Sequence, residues 1–139
     1  MKEATPILDV VCAIIRRPGH PRQCLATRRS LNDPNLPGKW EFPGGKIEHG
    51  ETAEQAILRE IREELCIEVV AEHTLTPVCH AYVHAHVRLH PFICQLRSGT
   101  PRLLEHVELS WVFPHQLSEL DWAPADVPIL EQWLQWCEA

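Results

Sequence analysis

Glu60, Glu63 and Glu64 crowd into one short stretch, "LREIREEL". Three carboxylates that close together can hold a cation. Placed around a helix axis at roughly 100° per residue, Ile57, Leu58, Ile61 and Leu65 form an apolar arc, while Gln55, Arg59 and Arg62 face solvent. The glutamates take a third arc bordering the apolar seam, shared with Ala53 and Ala56, whose small side chains leave open volume beside them. Charged runs on helices are commonly solvated faces. Here, like charges three or four positions apart cost a few tenths of a kcal/mol each, and a bound cation would offset that cost.

The elements around this helix must position it. Leu8 to Arg17 reads as a strand, "PGHP" as a turn and "QCLATRRS" as a second strand, so the chain opens with a hairpin. A loop with two prolines leads into the extended "WEFPGG", and the helix follows with Glu51 and Thr52 at its start. Thr52 and Gln55 have the spacing of a capping box. Beyond the helix, "IEVVAEHTLTPVCHAY", "HAHVRLHPFICQL" and "ELSWVF" read as strands. The segment "PADVPILEQWLQWCEA" reads as a final helix, with Pro128 in its first turn and Ile129, Leu130, Trp133, Leu134 and Trp136 at helical spacing. Two helices far apart among mixed strands predict an α/β sandwich with helices on both sides of a sheet.

The chain of 139 residues fits one domain, residues 1–139. Its net charge of -6 and scattered arginines argue against a groove for a nucleic-acid polymer. No segment approaches the roughly 20 apolar residues of a membrane span, and the apolar run near the N-terminus, broken by Asp9, reads as a strand rather than a secretion signal. The six cysteines are dispersed without a C-x-x-C pair, which predicts reduced thiols in a cytoplasmic protein.

The glutamate helix resembles the signature of the Nudix hydrolases, G-x5-E-x7-R-E-U-x-E-E-x-G-U with U bulky and apolar. The matching residues are Gly45, Glu51, Arg59, Glu60, Ile61, Glu63, Glu64 and Ile67, with Cys66 in place of the second glycine. Outside the signature, "TRR" (27 to 29), "WEFPGGK" (40 to 46) and "APADVPI" (123 to 129) are similar to the MutT-like branch and its CTP pyrophosphohydrolase relatives. The resemblance implies a Nudix α/β/α sandwich, a mixed sheet between helices, that hydrolyses nucleoside triphosphates to the monophosphate and pyrophosphate. It implies magnesium as cofactor, with manganese able to substitute, and a nucleotide as the only partner of a monomer or homodimer. Magnesium suits the carboxylate arc because it is a hard ion that bridges protein carboxylates to phosphates.

By the same resemblance, Glu60, Glu63 and Glu64 are catalytic and metal-binding, the carbonyl of Gly44 is a further ligand, and Glu51 and Arg59 form a structural salt bridge. Glu105, in "LLEHVELSW", matches a catalytic glutamate, base or extra ligand; Arg28, Arg29, Phe42 and Asp126 fall on the substrate side. An arginine at 28 or 29 could grip a triphosphate bidentately. An ionised Asp126 would accept two donors, which favours a guanine-type base such as that of 8-oxo-dGTP, and with it nucleotide-pool sanitisation in DNA repair. A CTP or 5-methyl-dCTP hydrolase is the alternative, and a non-catalytic nucleotide-binding module a third reading. Asp126 could also cap the last helix.

Cys66 at a position that usually adopts a left-handed turn either lets the helix run on or costs stability. His80, His84, His86 and His90 alternate with Tyr82 among them, so they would share a face if the strand is continuous, unless Val83 and His84 make a turn. Trp133 and Trp136 are expected to pack rather than stack on a base.

Overall fold

A computed structural model describes residues 6–138; the ends of the expected domain, residues 1–5 and 139, lie outside the described residues. The chain runs β1 (Ile7–Arg17), β2 (His20–Arg28), β3 (Trp40–Glu41), β4 (Gly44–Lys46), α1 (Ala53–Leu65), β5 (Glu68–Thr74), β6 (Val78–Ala81), β7 (His86–Ser98) and β8 (Glu108–Val112). Two short 3-10 turns, Pro114–Glu119 and Pro124–Asp126, then lead to α2 (Val127–Glu138).

All eight strands join one mixed sheet. Its spine is β3-β2-β1-β7-β5, with β4 on β1, β6 on β7 and β8 on β2. The pair β1 and β7 is parallel, from Ile7 opposite His86 to Arg16 opposite Gln95. Strand β1 is apolar at consecutive positions because both of its faces are covered. Val11, Ala13 and Ile15 pack with Ala56, Ile57, Ile61 and Leu65 of α1, while Cys12 and Ile14 pack with Ile129, Leu130 and Trp133 of α2. The expected α/β/α sandwich is therefore the observed one. Among the described residues no helix is long and apolar enough to cross a membrane.

The opening hairpin forms as read, turning through Gly19 at φ 80°. The segment read as one strand through Tyr82 is instead two, β5 and β6, separated by Leu75 to Pro77. Both pair antiparallel along the long β7, and the Leu75 N–H donates to the Pro91 carbonyl at 2.9 Å across the break. Val83 and His84 turn the β6–β7 hairpin, closed by the Tyr82 N–H on the Ala85 carbonyl at 2.8 Å. The six thiols are free, and Trp133 is fully buried in the core while Trp136 packs at its margin.

Helix α1 begins with the capping box in place: the Thr52 hydroxyl accepts from the Gln55 N–H at 3.1 Å, and Gln55 Oε1 accepts from the Thr52 N–H at 2.9 Å. It ends at Cys66, which adopts φ 57° and ψ 36° and closes the last turn on the Arg62 carbonyl. The helix does not run on. A Cβ in that conformation costs on the order of 1 kcal/mol, which the chain tolerates.

Candidate active site

Strand β4 brings its two glycines under α1, and each is confined by a different neighbour. A Cβ on Gly44 would collide with the Val11 carbonyl oxygen of β1, and one on Gly45 would fall on the Glu60 carboxyl group. Neither glycine leaves open volume beside the glutamates, since Gly44 is pressed on the Val11 backbone and the Glu60 carboxyl fills the space over Gly45. The helix alanines do not provide it either: Ala56 is fully buried in the core and Ala53 packs against it, because the buried face of α1 is wider than the apolar arc alone.

The glutamates have unequal surroundings. The Glu63 side chain is 58% exposed and that of Glu60 15% exposed, while Glu64 is buried at 7%. The Gly44 N–H offers Glu64 a hydrogen bond, yet its Oε2 is buried with no partner. Burial, with Glu105, Glu41 and Glu60 nearby, pushes the Glu64 carboxyl up to about 9 in the absence of a cation. Burial also raises Glu60, against the pull of Arg59.

Arg59 ties the helix to the glycine loop. Its Nε and Nη2 donate to Glu51 at 2.6 and 2.9 Å, its Nη2 also reaches the Lys46 carbonyl at 3.0 Å, and its Nη1 serves Glu60 at 2.9 Å and Glu63 at 3.1 Å. Arg59 is thus not on a solvent face. The forked geometry needs a guanidinium, since a lysine is a point donor. Arg59→Lys is expected to lower the urea midpoint and to speed amide exchange at Glu51 roughly tenfold; an unchanged loop would show that the fork is dispensable.

Glu64, Gly44 and Glu105 line a cavity of about 270 Å³ together with Arg29, Ser30, Asp33, Glu41 and His106. Arg29 reaches it, but Arg28 does not: Arg28 Nε is bound to the Gly38 carbonyl at 3.0 Å and its Nη1 to Glu108 at 3.4 Å. Arg28 ends β2, paired with Trp40 and Glu108, whereas Arg29 lies just past the strand. Arg29 is itself engaged, Nη2 with Asp33 at 2.7 Å and Nη1 with Glu41 at 3.0 Å, so a bidentate grip on phosphate would have to break these pairs.

Phe42 and Asp126 do not line this cavity. The Phe42 ring is 3% exposed and packs on Trp122 at 4.7 Å. Its backbone N–H donates to Asp126 Oδ2 at 2.8 Å, so Asp126 ties down the link between β3 and β4 rather than capping α2. Burial pushes the Asp126 carboxyl well above the usual range, which removes the premise that it is ionised. The expected histidine face is divided: at the β6–β7 turn Tyr82 stacks on His84 and meets His80 at a tilt, with the Tyr82 hydroxyl accepting from the Ala125 N–H at 2.9 Å, while His90 Nε2 lies 2.9 Å from Asp9.

Sequence reading missed Glu41, Asp33 and His106. Glu41 is a charge beside the apolar "WEFPGG" run and His106 adjoins Glu105; a buried polar residue within an apolar strand was the available signal. Among the described residues, of the four buried side-chain atoms without a hydrogen-bond partner, three are Arg29 Nε, Glu64 Oε2 and His106 Nδ1, all on residues of this one cavity. Buried polar atoms are nearly always satisfied, so the cavity has the character of a ligand site.

Among the described residues no three His, Cys, Asp or Glu side chains converge as a finished metal cage, and Arg59 Nη1 is bound to oxygens of Glu60 and Glu63. The fit to a hard ion is nonetheless good. The available donors are carboxylate oxygens, one of them orphaned, and magnesium takes few protein ligands beside water and phosphate.

Comparison with known proteins agrees with this fold. The NUDIX domain family matches residues 6–136. The chain is 36% identical over 128 residues to a CTP pyrophosphohydrolase of Escherichia coli (strain K12), covering 92% of each chain. It is 32% identical over 123 residues to the 8-oxo-dGTP diphosphatase of the same organism, covering 88% of this chain and 93% of the relative. The crystal structure of a MutT protein from Methanosarcina mazei Go1 superposes with a TM-score of 0.85 at 24% identity, over 99% of this chain and 100% of that one.

Proposed function

The chain belongs to the NUDIX domain family and is a Nudix hydrolase of MutT type, and from that premise we propose that it cleaves nucleoside triphosphates to the monophosphate and pyrophosphate. The observation that carries the proposal is the cavity whose residues hold three orphaned polar atoms beside the glutamate helix. Nudix hydrolases use divalent metal ions; here Glu60, Glu63, Glu64 and Gly44 would hold magnesium, which would polarise the phosphoryl group and neutralise its charge. Glu105 makes none of the described side-chain hydrogen bonds, so its carboxylate is free to take the proton of the attacking water. Attack at the β-phosphorus breaks its bond to the oxygen bridging to the α-phosphorus; that oxygen leaves with the monophosphate, and the water oxygen stays on pyrophosphate. On this reading residues 1–139 act as one domain that sanitises the cytoplasmic nucleotide pool.

The substrate proposed first is an oxidised purine triphosphate such as 8-oxo-dGTP, whose N1-H donor and O6 acceptor suit an Asp126 carboxyl that burial keeps protonated. A second reading, a cytosine triphosphate, is favoured by the burial of Asp126. A protonated carboxyl pairs one donor and one acceptor, which fits the N3 and amino group of cytosine. It also fits O6 and N1-H of guanine. The test compares kcat/KM for 8-oxo-dGTP, dGTP, CTP and 5-methyl-dCTP in wild type and Asp126→Ala. The first reading expects 8-oxo-dGTP to lead and the substitution to erase about tenfold or more of its advantage; a lead by the cytosine nucleotides assigns the second. No pyrophosphate from any triphosphate with magnesium would reject both.

A further inference from the structure

The segment between β7 and β8 carries Glu105 without a regular element to hold it. Leu103, Leu104 and Val107 are each more than half exposed, so apolar burial does not fasten it. Two backbone bonds do, from the Arg102 N–H to the Leu65 carbonyl and from the Val107 N–H to the Arg28 carbonyl, both 3.0 Å. The side chain next to Glu105 is different in kind. His106 is 6% exposed, and its Nε2 lies 2.9 Å from Glu41 Oε2.

Glu41 is a fixed post. Its other oxygen is bound to Arg29 at 3.0 Å, Arg29 is braced by Asp33, and the Glu41 carbonyl accepts from the Thr27 hydroxyl at 3.0 Å. Glu105 shares the cavity with Glu64 and Glu41, and none of the described side-chain hydrogen bonds holds its carboxylate there. An exposed carboxylate on a loosely packed loop would turn away from them unless its neighbour were tied down. We propose that His106 is a positioning residue, which by docking on Glu41 holds the Glu105 loop against the cavity.

The kinetic half of this inference rests on the triphosphate reading; the anchoring half does not. In His106→Leu, which keeps bulk and removes the donor, the Arg102 and Val107 amides are expected to exchange about tenfold faster or more, with the rest of the fold unchanged. The kcat should fall about 10- to 100-fold with KM within about twofold, and the same change made in Glu105→Gln should lower kcat by less than about twofold further. His106→Gln, whose amide can still donate to Glu41, should recover most of the loss. Unchanged loop exchange, equal kcat losses in both backgrounds, or exchange raised throughout the fold would each overturn the proposal. Should His106→Leu not fold, Glu41→Leu, which removes the acceptor, takes its place in the same measurements, and the same results uphold or overturn the anchor. If wild type hydrolyses no triphosphate, the functional reading fails while loop exchange still decides the anchor.

Discussion

Glu64→Gln is expected to lower kcat by about a thousandfold or more, equivalent to about 4 kcal/mol of transition-state stabilisation, while leaving the fold intact. Glutamine keeps the shape of the side chain and its hydrogen bond from the Gly44 N–H, but it supplies no negative charge. The partnerless Oε2 inside the cavity is the atom that changes. Excess chelator should silence wild type to the same extent. Turnover that survives either treatment would remove Glu64 from the metal site, whatever the family membership.

The same substitution should act in the opposite direction on stability. Without a cation, Glu64 is raised to about 9 by burial and by Glu105, Glu41 and Glu60, so the folded chain keeps a proton that an unfolded glutamate loses above about 4.3. That contribution is complete below the unfolded value and is lost as pH rises toward 9. In chelator, the stability of wild type is expected to fall across this window by up to about 1.4 kcal/mol per pH unit. Asp126, raised by its own burial, adds a slope of the same sign. Asp9, held at about 2 by its hydrogen bonds from Arg88 and His90, has finished titrating below it. Glu64→Gln should flatten much of the slope and be more stable than metal-free wild type at pH 8, and urea unfolding at several pH values measures both. An equal slope in the two proteins would show that the carboxyl is solvated. If the expectation holds, the site is a place where stability is given up for function.

The glutamate helix, its capping box and the opening β1–β2 hairpin were legible because local spacing encodes them. The signature itself became physical only in three dimensions: Gly45 is small because Glu60 lies on it, and Arg59 looks solvent-facing on a wheel but spans to Glu51. Arg28 and Arg29 are indistinguishable in "TRR" until Arg28 pairs with Trp40 and Glu108 at the end of β2 and Arg29 falls just past it. Phe42 was assigned to substrate on resemblance, whereas Trp122, far along the chain, claims its ring. Glu41 and His106 escaped notice for the same reason, since their partnership joins segments that no sequence window contains.

The parallel pairing of β1 with β7 also sets an order of assembly. Helix α1 and the β1–β2 hairpin draw on nearby residues and can form early, while β7 must close a long loop before its contacts repay the entropy. Strand β4, which carries Gly44 and Gly45, is bonded to that same β1, and Glu105 arrives later in the chain than β7. A refolding experiment that follows backbone structure and metal binding together should therefore see the helix signal first and the binding signal in the slowest phase: the reaction centre is the last part of the molecule to exist.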